Sequence, residues 1–174
     1  CLCLAAVLLV LSAAACNTIP KSTKEEKATA LTIDGFSVPY EQLRYFICNY
    51  MDSVSGGDPA YWTEETAAAA EESIYAESYA ALKSEYAVLS LCREYGIDVN
   101  GKAISELVDV YMQDIIEEFG DTKTYSESLA EHHLTHSAYS FFTRVDACSE
   151  ELYYKLLNDD IIENDDTVIE AYVR

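Results

Sequence analysis

The stretch Ile104–Gly120, ISELVDVYMQDIIEEFG, decides the fold class of this chain. Its apolar residues recur at intervals of three and four, a period that is typical of an amphipathic α-helix. Gly120 ends the pattern, because glycine readily adopts the left-handed conformation that terminates helices. The apolar positions are Ile104, Leu107, Val108, Tyr111, Met112, Ile115, Ile116 and Phe119.

The same helical spacing recurs on both sides of this stretch. It predicts further helices over residues 40–54, 64–95, 124–133, 136–158 and 165–172. Thr63, Asn100, Thr124 and Thr135 are expected to cap the N-termini of four helices. Upstream, Asp34-Gly35 between apolar residues indicates a β-hairpin. The sequence therefore predicts an all-α fold of five to six amphipathic helices with one short N-terminal β-hairpin.

The first sixteen residues, CLCLAAVLLVLSAAAC, differ from the rest in being almost entirely apolar. The run is too short to span a bilayer, which takes about 20 apolar residues, and it fits the apolar core of a secretory signal. With small residues directly before Cys16, the segment resembles a bacterial lipoprotein signal. That resemblance makes Cys16 the lipid-anchor site. The alternative is a buried apolar helix of a soluble domain.

These features divide the chain into three parts. Residues 1–16 are the predicted lipoprotein signal segment, without the basic region that usually begins one. Residues 17–30 are polar and are expected to be a flexible tether. Residues 31–174 are the predicted helical domain, which we expect to be truncated at its C-terminus because the last helical pattern stops without a terminating residue.

Charge excludes one class of partner. The chain has a net charge of −20, and residues 31–174 hold 29 acidic but only eight basic residues. Such a surface repels phosphate backbones, so no nucleic-acid binding is expected. It also repels anionic membrane surfaces, so attachment to a membrane is expected to depend on the lipid.

The cysteines and histidines do not form a clear chemical site. Outside the first sixteen residues only Cys48, Cys92 and Cys148 remain, either as buried free thiols or as one disulfide and one free thiol. His132 and His136 are four residues apart and could ligate a metal from one helix face. Thr135 is expected to interrupt the helix between them, which favours solvated histidines. We therefore predict no cofactor, no metal and no catalytic residue in this chain.

The fourteen tyrosines are an unusual feature of the composition. A ring with a polar tip suits surfaces that bind other proteins, although packing at the edge of the core is the alternative. Six tyrosines near the borders of apolar helix faces are the candidate client-binding residues: Tyr75, Tyr79, Tyr86, Tyr111, Tyr139 and Tyr153.

The order of these elements resembles the SurA-like N-terminal domain of extracytoplasmic foldases, including PrsA-type lipoproteins. Three phrases carry the resemblance: IDGFSVPYEQLRYF near the hairpin, YGIDV after the long helix, and FGDTKTY before the last pair of helices. The matching residues are Ile33, Asp34, Gly35, Val38, Glu41, Leu43, Arg44, Tyr45, Phe46, Tyr95, Gly96, Ile97, Val99, Phe119, Gly120, Tyr125 and Leu129.

This resemblance implies a function. Family members hold and fold newly exported polypeptides, and full-length members add a parvulin-type peptidyl-prolyl isomerase domain, no part of which is evident in this sequence. We expect a chaperone domain, lipid-anchored to the outer face of a bacterial cell membrane, whose partners are unfolded exported polypeptides. Whether the chain belongs to an enzyme stays open. The alternatives are a helical surface lipoprotein that binds one dedicated partner, and a metal-dependent enzyme built on His132 and His136.

Overall fold

The computed structural model describes residues 19–162 and confirms an all-α fold with a short β-hairpin. Strands β1 (Thr29–Ile33) and β2 (Phe36–Pro39) pair antiparallel, with Ile33 opposite Phe36. The two residues between them, Asp34 and Gly35, have φ values of 48° and 79°. A two-residue turn of this kind needs positive φ at both positions, which explains why Asp-Gly predicts it.

Five α-helices follow the hairpin within the described residues. They are α1 (Tyr40–Ser55), α2 (Glu64–Glu94), α3 (Lys102–Glu118), α4 (Thr122–Glu131) and α5 (His136–Asn158), with a 3₁₀ turn at Pro59–Tyr61. The helix predicted over residues 165–172, and Cys16 with its signal segment, lie outside the described residues. At about 1.5 Å per residue, the 31 residues of α2 extend about 46 Å.

The helix ends follow local sequence signals with two corrections. Thr63 caps α2 and exchanges hydrogen bonds with Thr66, and Thr135 caps α5, as expected. The N-cap of α3 is Gly101, one residue after the predicted Asn100. Helix α4 begins earlier than predicted, because the Asp121 carboxylate accepts a hydrogen bond from the backbone N–H of Thr124.

Helix α5 occupies the centre of the helical packing. It contacts both α2 and α3, and α2 also packs along α1. The core between these elements is continuous and includes both strands of the hairpin. Fully buried side chains such as Leu82, Val108 and Tyr125 come from α2, α3 and α4. Burial of these apolar stripes, more than helix propensity, stabilises the fold.

Helix α1 buries two polar side chains in its first turn. Glu41 is 1% exposed and Gln42 is 5% exposed, while the apolar face after them is only half-buried. The Gln42 side-chain oxygen accepts a hydrogen bond of 2.7 Å from the Tyr86 hydroxyl. Glu41 accepts one of 2.7 Å from the Thr135 hydroxyl. Each buried polar group therefore has a specific partner on another element.

Residues 19–30, the described part of the predicted tether, make contacts with the domain. In its described part, Ile19 packs against the core and β1 begins at Thr29. Between them, the backbone N–H of Tyr40 donates to the Ala28 carbonyl at 2.8 Å. The segment is thus attached to the domain by contacts that a reading of composition alone does not reveal.

Candidate functional site

The connection between α4 and α5 is built from residues of the histidine-rich stretch. His133 has a φ of 58°, and the N–H of Leu134 donates to the Leu129 carbonyl at 2.8 Å, which closes the end of α4. Thr135 then caps α5 by accepting a hydrogen bond of 3.0 Å from the N–H of Ala138. This tight turn holds the side chains of His133 to His136 in defined positions.

Two hydrogen bonds attach this connection to the rest of the domain. The Tyr125 hydroxyl and Nδ1 of His136 are 2.9 Å apart, and the Thr135 hydroxyl donates to the Glu41 carboxylate. Tyr125 has no exposed surface, and burial raises its pKa well above the usual value. Burial also lowers the pKa of His136, because the charged imidazolium is less well solvated there.

The N-terminal segment, residues 19–28, lies next to this connection. The N–H of Thr23 donates to the Glu26 carboxylate at 2.7 Å, and the N–H of Glu26 donates to the Thr23 hydroxyl at 3.1 Å. Glu26 also pairs with Arg44 of α1 at 3.3 Å. The backbone hydrogen bond from Thr23 is the main reason that the pKa of Glu26 is lowered.

A cleft of about 400 Å³ opens between the N-terminal segment, α1 and the α4–α5 connection. We call it the junction cleft. Its lining combines apolar and polar side chains: Ile19, Pro20, Lys21, Ser22, Glu26, Arg44, Cys48, Ser126, Leu129, Ala130, His133, Leu134, Thr135 and His136. Its volume lies within the range of small-ligand sites.

Two polar atoms of this lining are enclosed but have no hydrogen-bond partner among the described residues. They are the Ser22 hydroxyl and the Arg44 Nε. Leaving a donor unpaired away from solvent costs about 1–3 kcal/mol, so native proteins rarely keep such groups without a use. Both residues line the cleft, but neither of these two atoms has surface that solvent can reach.

A second cleft of about 330 Å³ lies between the hairpin, α2 and α5. Three aromatic rings, of Phe36, Tyr86 and Phe141, contribute to its wall. Arg144 also lines it, but its guanidinium already donates to the Val99 carbonyl at 3.0 Å. This arginine links α5 to the α2–α3 loop, which is sufficient to explain its position.

The six candidate tyrosines do not converge on one groove. Tyr75 and Tyr79 are 52% and 45% exposed on the outer face of α2. Tyr86, in contrast, does not lie at the surface, because only 2% of it is exposed. Burial raises the pKa of Tyr86 to about 12. Its hydroxyl is committed to Gln42.

The other three candidate tyrosines lie at separate places. The Tyr111 hydroxyl donates to Glu150 at 2.7 Å and links α3 to α5. Tyr139 is half-buried beside Tyr125, and Tyr153 stacks edge-on against Tyr154. Tyr75 and Tyr79 are thus the most exposed of the six, and they lie four residues apart on α2.

The histidines do not form a metal site in the described region. His132 lies at the C-terminal end of α4, whereas His136 begins α5 and is engaged by Tyr125, so the two do not share a helix face. His133 instead pairs with Asp52 of α1 at 3.1 Å. Across residues 19–162, no three His, Cys, Asp or Glu side chains are placed to hold a metal ion.

The cysteines Cys92 and Cys148 are free thiols with no exposed surface, and Cys48 is a half-buried free thiol. The Cys92 thiol donates to the Cys148 carbonyl at 3.3 Å between α2 and α5. Desolvation raises the pKa of Cys148 to about 12 and also raises the pKa of Cys48. Neither thiol is therefore activated as a nucleophile.

Several residues that build the junction cleft were not identified as functional by sequence reasoning. Glu26, Arg44 and Tyr125 matter because of contacts across the fold, although Thr23-x-x-Glu26 is a detectable capping-type pattern. No family model, curated protein or solved structure matches this chain. Among residues 19–162, no helix is both long and apolar enough to cross a membrane.

Proposed function

We propose that this chain is a lipid-anchored, extracytoplasmic chaperone domain that binds unfolded exported polypeptides. In this proposal Cys16 carries the lipid and holds the domain at the outer face of a bacterial cell membrane. The parent protein is proposed to be a peptidyl-prolyl cis-trans isomerase of the SurA and PrsA type. No isomerase residue is assigned within this chain.

One observation carries the proposal: the sequence order of a lipoprotein-like signal, a hairpin and a series of amphipathic helices. The fold agrees with the helical part of that order, from the Asp34-Gly35 turn to α5. Because a helical domain can serve many functions, this agreement supports the proposal only through the resemblance described above.

The surface offers a second line of support. Large aromatic side chains at Tyr40, Tyr61, Tyr75 and Tyr79 are 40–52% exposed. Exposed aromatic groups favour contact with other proteins, because they bury a large area at a small cost in side-chain entropy. An acidic surface keeps such a domain soluble while it binds apolar segments.

The chaperone activity is tested by aggregation of an unfolded client protein. We expect residues 17–174 to suppress light scattering by a denatured client when added in stoichiometric excess. Replacement of Tyr75 and Tyr79 by serine is expected to weaken suppression, whereas Tyr154→Ser, at a similarly exposed tyrosine on α5, serves as the control. Unchanged client aggregation in the presence of the unsubstituted domain would exclude this function.

The anchor is tested separately. A bacterial host that expresses the chain with an added complete signal sequence is expected to label it with a palmitate analogue. Cys16→Ser should abolish the label and release the protein from membranes. Equal labelling of the two proteins would contradict the assignment of Cys16.

A dedicated interaction module is the alternative function. Recovery of one stoichiometric partner from the native membrane, together with no suppression of client aggregation, would favour it. Binding of several unrelated unfolded clients with micromolar affinity would favour the chaperone.

A further inference from the structure

The N-terminal segment, residues 19–28, differs in charge from the rest of the described chain. It holds three lysines and two glutamates, whereas residues 29–162 hold seven basic and 25 acidic residues. From these counts the segment has a formal charge of +1 and the remainder has a formal charge of −18. A slightly basic segment therefore lies on a strongly acidic domain.

The three lysines of the segment are Lys21, Lys24 and Lys27, and we call them the segment lysines. All three are exposed to solvent. The N–H of Lys27 donates to the Thr23 carbonyl at 3.2 Å, which closes one turn with helical spacing. Lys24 and Lys27 are three residues apart in this turn and therefore lie on the same side of it. The residues between the lysines that are partly buried are Ile19, Ser22 and Glu26.

The segment lysines have no anionic partner within residues 19–162. None of them forms an ion pair there, although carboxylates are abundant on the domain. In contrast, Lys102, Lys123 and Lys155 each pair with an acidic residue four positions later. The positive charges of the segment can therefore interact with an external anionic surface.

The segment is attached to the domain, so its charges have a fixed place on the surface. The N–H of Glu41 donates to the Glu26 carbonyl at 2.9 Å, and the Glu26 carboxylate pairs with Arg44 at 3.3 Å. Ile19 packs against the core at the other end of the segment. A flexible tether transmits no orientation to the domain that it carries. An attached segment does, because the segment and the domain turn together.

The segment also lies close to the proposed lipid site. Ile19 is three residues after Cys16, and three residues of extended chain span about 10 Å. Charges interact with a charged surface mainly within the Debye length, about 8 Å at physiological ionic strength. Lysines at this range are attracted to anionic headgroups. The acidic remainder of the domain is repelled by the same headgroups, which favours an orientation with the segment nearest to the bilayer.

We propose that the N-terminal segment is a membrane-contact surface, on which the segment lysines bind anionic lipid headgroups and turn the junction cleft toward the bilayer. Attachment to the membrane still depends on the lipid, because the chain as a whole is acidic. The inference rests on Cys16 as the proposed anchor, and it adds the orientation in which the anchor holds the domain.

The test uses the lipidated chain in vesicles of phosphatidylcholine, with or without about one-third phosphatidylglycerol. Diethylpyrocarbonate labels exposed lysines and histidines, and peptide mass spectrometry measures the label at each residue. In the anionic vesicles, labelling of the segment lysines is expected to fall at least about threefold. Labelling of His133, whose side chain is 40% exposed in the lining of the junction cleft, is expected to fall at least about twofold.

Two controls belong to the same measurement. Lys83, Lys102 and Lys155, on α2, α3 and α5, are the internal reference and are expected to label equally in both kinds of vesicle. About 0.5 M sodium chloride is expected to remove the protection of the segment lysines, because the Debye length falls to about 4 Å.

Two double variants separate the position of the charges from their number. Lys21→Gln with Lys27→Gln leaves Lys24 as the reporter, and its labelling in anionic vesicles is expected to rise at least about twofold. Lys83→Gln with Lys102→Gln removes the same charge from exposed positions elsewhere and is the matched control, in which Lys24 is expected to stay protected. Circular dichroism melting verifies that both variants are folded.

Glu26→Ala separates an attached segment from a flexible one. The substitution removes the ion pair with Arg44, and hydrogen exchange over residues 19–28 verifies that the segment is released. The segment lysines are then expected to stay protected, while His133 loses its protection because the domain is no longer oriented. Protection of His133 that persists in the released variant would overturn the orientation by the segment.

The remaining outcomes distinguish this inference from the proposed anchor. A lipidated chain whose segment lysines label equally in both kinds of vesicle overturns the inference and leaves the anchor standing. So does protection that the reference lysines share. A chain without lipid on Cys16 overturns the anchor instead. Residues 17–174 are then expressed behind the signal and lipidated cysteine of an established lipoprotein, where unprotected segment lysines in anionic vesicles would overturn the inference as well.

Discussion

At the residue scale, single polar side chains determine how the elements meet. Thr135 is the clearest case, because its one hydroxyl caps α5 and also satisfies the carboxylate of Glu41, which is 1% exposed. Loss of a cap and loss of a partner for a buried carboxylate are separate costs. Here both depend on the same oxygen atom.

Thr135→Val is expected to lower the free energy of unfolding by about 2–4 kcal/mol, the sum of a lost cap and an unpaired buried carboxylate. Urea unfolding measures this loss. Thr63→Val is the matched control, because Thr63 caps α2 at an exposed position, and about 1 kcal/mol is expected there. An equal loss of unfolding free energy in the two variants would show that burial of the Glu41 carboxylate does not depend on the Thr135 hydroxyl.

The thiols provide a second residue-scale prediction. In the folded chain at pH 8, we expect Cys92 and Cys148 to resist alkylation, since both lack exposed surface. Burial raises the pKa of Cys148 to about 12, so this thiol is also protonated at that pH. Cys48 is half-buried and is expected to react slowly.

Peptide mapping by mass spectrometry after alkylation measures the labelled fraction at each of these cysteines. Unfolding in guanidinium chloride is the control and should make all three react at similar rates. Rapid labelling of Cys148 without denaturant would contradict the packing of α5 against α2. A Cys92–Cys148 disulfide in the purified protein would contradict the free thiols described here.

At the scale of elements, the N-terminal segment is held by few contacts and is the part most easily released. Residues 19–28 are held to the domain by the ion pair of Glu26 with Arg44 and by the packing of Ile19. Backbone hydrogen bonds from Tyr40 and Glu41 to the carbonyls of Ala28 and Glu26 complete the attachment. Helices α2 and α5, in contrast, share an extensive apolar contact. Local opening is easiest where few buried apolar contacts oppose it. The N-terminal segment forms one wall of the junction cleft, and we expect it to open locally more often than the helices do.

Glu26→Ala is expected to increase amide hydrogen exchange over residues 19–28 while the exchange of α2 and α5 stays unchanged. The substitution removes the partner of Arg44 and of the Thr23 N–H together. Glu25→Ala is the control, because Glu25 is exposed next to it in sequence. Equal exchange in the two variants would show that Glu26 does not hold the segment.

Acid should release the same segment. The pKa of Glu26 is lowered in the folded state, so its stabilising contribution is present above the unfolded pKa of about 4.3 and is lost as pH falls through the folded pKa. We expect limited proteolysis within residues 19–28 to be slow between pH 5 and 7 and to become faster as the pH falls below the unfolded pKa. A protease active across this range, with Glu26→Ala as the already released reference, tests this. Resistance that stays unchanged down to the acid unfolding of the domain would contradict the role of the ionised carboxylate.

At the scale of the whole molecule, charge repulsion opposes folding. A net charge of −20 is spread over 174 residues, and the ion pairs Lys102–Glu106 and Lys123–Glu127 are largely exposed. Exposed pairs contribute little stability, whereas the general repulsion acts across the entire surface. Added salt should therefore stabilise the fold, because it weakens the general repulsion more than it weakens the ion pairs.

Raising the ionic strength from 10 to 150 mM is expected to increase the Tm by about 2–4 °C, because the Debye length shortens from about 30 Å to 8 Å. Circular dichroism melts in sodium chloride measure the shift. Tetramethylammonium chloride is the control and should have the same effect if screening, and not cation binding, is responsible. A Tm that falls with salt would indicate that the ion pairs dominate.

The sequence by itself determined the secondary structure, because helix periodicity, Asp34-Gly35 and the caps at Thr63 and Thr135 are local signals read within a few residues. The tertiary structure alone decided which polar residues are buried and which surfaces form clefts. Glu41 and Arg44 are far in sequence from Thr135 and His136, yet they meet in the fold. Tyr86 and Tyr79 lie on the same helix, but other elements pack over Tyr86. Such contacts depend on how helices cross in space, and no local pattern encodes that.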